Sequence, residues 1–150
     1  MMKISKLLCK SFALLSLLLI ACSNTDDIQQ KVTEIDASQL KVRDPFIFYD
    51  ADTDYYYLHV NGTLKVKSYK SKDLLTWQEN GYSFLPSAGF WGKEDFWAPD
   101  FYKYEDKYYL FITLSAPGVK RGTSVLVSDR VTGTFQPLVN NAVTPQEWTC

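Results

Sequence analysis

From about residue 40 onward, apolar and polar positions alternate in short runs separated by turn-forming clusters. Phe46-Ile47-Phe48-Tyr49 is a compact apolar run, and Asp50-Ala51-Asp52-Thr53-Asp54 a polar cluster after it. Tyr55 to Val60 is a second apolar run, closed by Asn61-Gly62, a dipeptide that favours tight hairpins. Leu64, Val66 and Ser68 then alternate with Lys65, Lys67 and Tyr69, the two-residue period of a strand with one buried face. Ser71-Lys72-Asp73-Leu74 predicts a short turn, and Trp77-Gln78-Glu79 with Ser83-Phe84-Leu85 completes the unit.

The scheme then repeats. Ala98-Pro99-Asp100-Phe101-Tyr102 takes the place of Asp44-Pro45-Phe46-Ile47-Phe48, and Tyr108-Tyr109-Leu110 that of Tyr56-Tyr57-Leu58. Thr123 to Ser128 is an alternating strand, and Thr132-Gly133-Thr134-Phe135 closes the second unit. Pro45 and Pro99 lie 54 positions apart. A repeat of about 40–50 residues made of four short strands predicts β-propeller blades. A single blade cannot bury both faces of its sheet, so blades require neighbours. The fold class expected is all-β, about two blades of four-stranded antiparallel sheet. A two-sheet sandwich of the same strands is the competing architecture.

The first residues follow a different pattern. Lys3, Lys6 and Lys10 form a basic start, and Phe12 to Ala21 is an apolar run of ten residues interrupted only by Ser16. A bilayer-spanning helix needs about 20, so the run predicts a signal peptide. It ends in Leu19-Ile20-Ala21-Cys22, which resembles the lipobox of bacterial lipoproteins, with Cys22 as the lipidated residue. The expected organisation is a signal peptide over 1–21, a tether over 22–39 that opens on Ser23-Asn24-Thr25-Asp26-Asp27, and a propeller domain over 40–150. That implies a lipid-anchored protein of the outer membrane, exposed on the bacterial cell surface. Several acyl chains on Cys22 would make the anchor permanent, since one alone holds only marginally.

Composition sharpens this picture in three ways. The net charge is −1, with 16 Lys and Arg against 17 Asp and Glu. Loss of residues 1–21 removes three lysines and no acid, leaving 13 cations, 17 acids and a net −4. No basic run beyond the N-terminus suggests nucleic acid as a partner. Aromatic residues make up 15% of the chain, which suits either a tyrosine-rich β core or a sugar-binding surface. Of the three cysteines, Cys9 leaves with the signal, Cys22 takes lipid and Cys150 has no partner, so neither a disulfide framework nor a cysteine metal site is expected.

Five motifs in order carry a family resemblance. They are Val42-Arg43-Asp44-Pro45-Phe46-Ile47 with Tyr55-Tyr56-Tyr57-Leu58; Asn61-Gly62-Thr63 with Tyr69 to Trp77; Phe96-Trp97-Ala98-Pro99-Asp100; Lys107 to Phe111; and Val127-Ser128-Asp129 with Gly133-Thr134-Phe135. Together they resemble the first blades of the five-bladed glycoside hydrolases of family 43, over about Val42 to Cys150. The resemblance implies hydrolysis, with inversion, of arabinose- or xylose-containing plant polysaccharides such as arabinan, arabinoxylan and xylan. It places Asp44 at the family's general base and Trp97 in the sugar subsite, against a plain core tryptophan as the alternative. Asp100 would accept a sugar hydroxyl or cap a strand entry, and Arg43 would pair with a carboxylate in the pocket. Phe96 and Trp91 are weaker candidates.

An inverting glycosidase needs a second carboxyl group, an acid for the leaving oxygen, about 6.5–9.5 Å from the base. Neither Glu105 nor Glu147 falls at a matching position, and the family's remaining acidic residues are expected on later blades, after Trp148-Thr149-Cys150. The chain is therefore expected to be a fragment, inactive alone. A non-catalytic glycan-binding lipoprotein, or a propeller with no sugar role, are the rival functions. No metal or other cofactor is expected. Asp50, Asp52 and Asp54 imitate the start of a calcium loop, but Tyr55 stands where glycine is required and Asn61 where glutamate is, which favours a hairpin turn. His59, the sole histidine, has no second histidine to share a metal with.

Overall fold

The computed structural model describes residues 33–144. The signal segment, Cys22 and the lead-in to Cys150 lie outside the described residues. Nine strands form two antiparallel sheets. The first holds β1 (Glu34–Asp36), β2 (Phe46–Asp50), β3 (Tyr55–Gly62), β4 (Lys65–Ser71) and β5 (Thr76–Phe84), in the spatial order β1-β5-β4-β3-β2. The second holds β6 (Glu94–Tyr104), β7 (Lys107–Ala116), β8 (Val119–Ser128) and β9 (Gln136–Pro137), in chain order. Strands β2 to β5 and β6 to β9 are thus two successive four-stranded meanders, as the repeat predicts. The edge strand β6 packs across β2, β3 and β4.

The 54-residue spacing of the prolines and the 52-residue spacing of the tyrosine pairs differ by the length of one turn. Ala51–Asp54 is a four-residue connection between β2 and β3, whereas Glu105-Asp106 alone joins β6 to β7. In the first, the buried Asp50 carboxylate accepts from the Thr53 amide at 3.1 Å and its hydroxyl at 2.8 Å, and Tyr49 donates to Asp54 at 2.8 Å. The aspartates that imitate a metal loop therefore organise a hairpin turn. At Ser71–Leu74 the hydroxyl of Ser71 accepts from the Leu74 amide at 2.9 Å, while Asp73 accepts from the amides of Leu75 and Thr76 at 2.9 and 2.8 Å.

Two sequence expectations need correction. Asn61-Gly62 is not the hairpin turn: both residues lie in β3, paired with Val66 and Lys65, and Thr63-Leu64 makes the turn with Leu64 at φ +52°. A turn at Asn61-Gly62 would slide β4 four positions along β3 and carry Val66, which is 1% exposed, out of the core. Side-chain burial outweighs the local turn preference here. The second correction concerns the tether. Residues 34–36 form β1, which pairs with β5 through Ile35↔Trp77, and a 3-10 turn follows over Ala37–Gln39. The first sheet is consequently five-stranded, not four. Ile35, Ala37, Leu40 and Val42 cover a cluster of Leu58, Val60, Tyr69 and Trp77 on the face of the sheet turned away from β6.

The main core fills the space between the sheets. Tyr57, Val66 and Phe84 from the first meet Phe96, Phe101, Leu110, Ile112, Leu114 and Leu126 from the second. Phe48 and Phe101 rings lie 4.9 Å apart, and the His59 imidazole stacks on Phe101 at 4.2 Å. Polar ties join the same faces: Tyr108 donates to Asp50 at 2.8 Å, and the Phe135 amide donates to the Ser83 carbonyl at 2.9 Å. Burying side chains of this size contributes about 1.5–3 kcal/mol each.

Gly92 marks the tightest approach in this core. A Cβ there would land on the buried Leu114 side chain, with two further Leu114 carbons at 3.1 Å. Gly92→Ala is expected to destabilise the fold by about 1–3 kcal/mol, the usual cost of overpacking. The midpoint of urea unfolding checks this; an unchanged midpoint would mean that Leu114 has room to turn aside.

Candidate active site

The inner edge strands β2 and β6 carry most of the candidate site residues at one end of the sheets. Asp44 stands two residues before β2, and the register Phe46↔His59 brings it alongside the end of β3 and the Thr63-Leu64 turn. Its φ is +49°, in the left-handed region that side chains other than Gly, Asn and Asp rarely adopt. Pro45 follows with its fixed φ, so the two residues together set the direction in which the carboxylate leaves the backbone. That carboxylate is 46% exposed and lies 3.5 Å from Arg43 Nε. An ion pair this open to water adds little stability, so Asp44 keeps its charge available to solvent or a ligand.

Strand β6 departs from regular pairing twice, between Glu94 and Trp97 and between Trp97 and Asp100. Asp95 at φ +55° and Ala98 at φ +46° take up these irregularities. Bulges of this kind re-aim side chains at strand edges. Four of the seven non-glycine residues with positive φ, namely Asp44, Leu64, Asp95 and Ala98, gather at this end. The other three, Asp54, Leu74 and Glu105, sit in turns at the far ends of their strands. Strained backbone concentrated in one place is a mark of a functional surface. Pro99 is tolerated inside β6 because an edge strand with a bulge has amides to spare.

The irregular stretch presents Trp97, half-buried. The Arg121 guanidinium lies over its ring, 3.8 Å from the centroid, and that of Arg43 is 5.4 Å away. Both fall within the range of cation–π attraction. Arg121 is held by Asp95, whose Oδ2 accepts from Arg121 Nη2 at 2.7 Å and from Ser115 Oγ at 2.9 Å. The Ser115 hydrogen bond, then that from Arg121, hold the Asp95 carboxyl below the usual carboxylate range. A hollow of about 620 Å³ opens between Asn61–Leu64 and Lys93–Trp97, with Trp97 in its wall.

The structure therefore brings Arg43, Asp44 and Trp97 together. Asp100 is apart from them: it is the seventh residue of β6, exposed, paired with Phe111, and neither a strand-entry cap nor a hydrogen-bond partner among the described residues. Phe96 is a core residue at 3% exposure. Trp91 is half-buried and donates from Nε1 to Ser124 at 2.8 Å. Sequence reasoning missed Asp95, Ser115 and Arg121. Arg121 was obscured because β8 begins at Val119, four residues before its apolar alternation does.

The Asp95–Arg121 pair fixes how the indole is presented. Asp95→Asn is expected to free Arg121 and loosen Trp97, lowering the anisotropy of tryptophan emission. The drop should vanish in a Trp97→Phe background; its persistence there would assign the effect to another tryptophan.

Two adjoining meanders with bulged or strained inner edges, and an exposed carboxylate beside an aromatic ring, define a segment of a β-propeller with a polar, aromatic active face. The chain belongs to glycosyl hydrolases family 43, whose sequence profile matches residues 37–150. Among solved structures it is similar to the endo-arabinase of Bacteroides thetaiotaomicron VPI-5482, at 57% identity and a TM-score of 0.75, over 80% of this chain and 42% of that one. It is similar in fold to a thermostable family-43 glycoside hydrolase, at 24% identity and a TM-score of 0.59, over 65% and 32% of the two chains. The GH43_1 enzyme of Xanthomonas citri in complex with xylotriose shares the fold at 17% identity and a TM-score of 0.61, over 75% and 36%. The chain thus spans less than half the length of each. No curated protein matches it significantly.

Proposed function

We propose that this chain supplies the general base and part of the sugar subsite of an inverting glycosidase acting on arabinose-containing plant polysaccharide, with xylose-containing chains as the second substrate class. The observation that carries this reading is the exposed Asp44 carboxylate, set by left-handed backbone at the end of an inner strand and beside Trp97. The 57% identity to an endo-arabinase favours arabinan over xylan.

In this mechanism Asp44 takes a proton from a water on one face of the anomeric carbon. The water oxygen bonds to that carbon as the glycosidic oxygen leaves from the other face with a proton from an acid. Trp97 offers an indole surface to the apolar face of a sugar ring, and Arg121 holds that indole in place. Arg43 tethers the base without quenching its charge. No glutamate of this chain takes the part of the acid, so the proposal assigns the acid to later blades and expects no turnover from the chain alone. The membrane anchor is proposed at Cys22, supported by the order of basic start, apolar run and cysteine. Cys22→Ala should then shift the protein out of the membrane fraction.

The direct test is arabinan hydrolysis by the whole chain, and by a chimera in which it replaces the matching part of the Bacteroides thetaiotaomicron endo-arabinase. Turnover by the chimera, inversion at the anomeric carbon and its loss in Asp44→Asn are expected. A chimera that folds, hydrolyses arabinan and ignores Asp44→Asn would overturn the assignment.

A further inference from the structure

A second hollow, of about 440 Å³, lies on the other side of the β3–β4 hairpin from the one that Trp97 lines. Its charge is lopsided. Lys41, Arg43, Lys65 and Lys67 line it, and no acidic residue does. The other hollows are mixed: Glu34 and Asp73 face Lys70 and Lys72 in one, Glu94 and Asp95 face Lys93 in the next, and Glu79 faces Lys67 in the third. The excess is local, because the chain as a whole is net −1.

Its geometry is built rather than scattered. Lys65 and Lys67 are two apart on β4 and so project from the same face, which Tyr69 continues. Lys41 and Arg43 approach from the segment that leads into β2. Among the described residues, Lys41, Lys65 and Lys67 form no ion pair, and Arg43 pairs only with Asp44, which does not line the hollow. Lys65 is steered by Tyr82, its ammonium 4.8 Å from the ring centre and 3.4 Å from the hydroxyl. Four cations around one hollow repel one another, and an anion placed among them would relieve that repulsion. The floor is different in kind: Val42, Val60 and Tyr69 give an apolar and aromatic surface. A cationic rim over such a floor suits a ligand with a ring to lay down and a carboxylate to pair.

We infer that this hollow is a binding subsite for a carboxylated sugar, a uronic acid unit in the polysaccharide. The ring rests on Tyr69 and the valines, and the carboxylate is held by Lys65, Lys67 and Arg43. Because Arg43 also touches Asp44, the subsite adjoins the base and selects chains that bear a uronate near the bond to be cut. That last step rests on the function proposed above; the binding of a uronate does not.

Calorimetric titration of the whole chain with trigalacturonate, its fully methyl-esterified form and arabinotriose tests the inference. The free acid is expected to bind, the methyl ester at least about tenfold more weakly, as loss of charge-assisted hydrogen bonds entails. Affinity should fall as salt is raised. Lys65→Gln with Lys67→Gln should weaken trigalacturonate binding by about tenfold or more, while Lys107→Gln with Lys120→Gln, of equal charge change, should not. Thermal unfolding of each variant shows whether it is folded, and Lys41→Gln gives an independent arm. Asp44→Asn should keep or tighten uronate binding while abolishing turnover in the chimera, so the two readings fail separately. Equal binding of acid and ester, no binding of trigalacturonate by the folded chain, or inorganic phosphate competing as well as the uronate, would overturn the inference.

Discussion

Asp44→Asn, in the chimera that restores the rest of the propeller, is expected to lower turnover on arabinan by about 10²–10⁴-fold, the usual contribution of a positioned general base. Binding of arabino-oligosaccharides should change little. The substitution isolates one property. Asparagine has the shape of aspartate and tolerates left-handed backbone, so the φ of +49° survives. What disappears is the ability to take a proton. Asp44→Ala would add about 1–2 kcal/mol of backbone strain in the same place and confuse the two effects. A loss confined to kcat, with KM little altered, identifies an interaction made in the transition state. If KM rises while kcat is kept, Asp44 is a sugar-hydroxyl acceptor and the base lies elsewhere.

Much of the fold behind that prediction is legible in the residues themselves. The strand runs, the turns at Asp50–Asp54 and Ser71–Leu74 and the repeat from Pro45 to Pro99 all survive in the structure, because each is a local preference that burial reinforces. Family resemblance identifies Asp44 and Trp97, and the structure brings them to one end of the sheets. What escapes the sequence depends on pairing between distant segments. Glu34–Asp36 looks like a polar tether until β5 is there to receive it. Asn61-Gly62 is locally the better turn, yet loses to the burial of Val66. Asp95 and Arg121 are 26 positions apart, and only the bulges of β6 bring them together beside Trp97. Strain at Ala98 likewise leaves no mark in the sequence.

Acid sensitivity should reveal the one buried histidine. His59 is fully buried on β3, stacked on Phe101, with Nδ1 2.8 Å from Ser83 Oγ and Nε2 without a hydrogen-bond partner among the described residues. The least costly neutral form has Nδ1–H donating to Ser83, since it leaves Nε2 as a bare acceptor rather than an orphaned donor. Protonation would place an unpartnered N–H and a charge in the core, and burial accordingly pulls the His59 pKa down to about 3. The unfolded chain keeps an ordinary value of about 6.5. Between those two values the unfolded state holds the extra proton, so stability is full above about pH 6.5 and falls as the pH drops toward 3. By pH 5 the loss should be on the order of 2 kcal/mol. Carboxylates titrate mostly below that point, and the chain has only one histidine, so the interval from about pH 6.5 to 5 reports on His59. Urea midpoints measured across it should slope in the native chain and flatten in His59→Leu with Ser83→Ala, which removes both polar partners so that neither is left orphaned. A slope that persists in the double variant would require another group to change its protonation on unfolding. A flat native profile would mean that the imidazole is open to water.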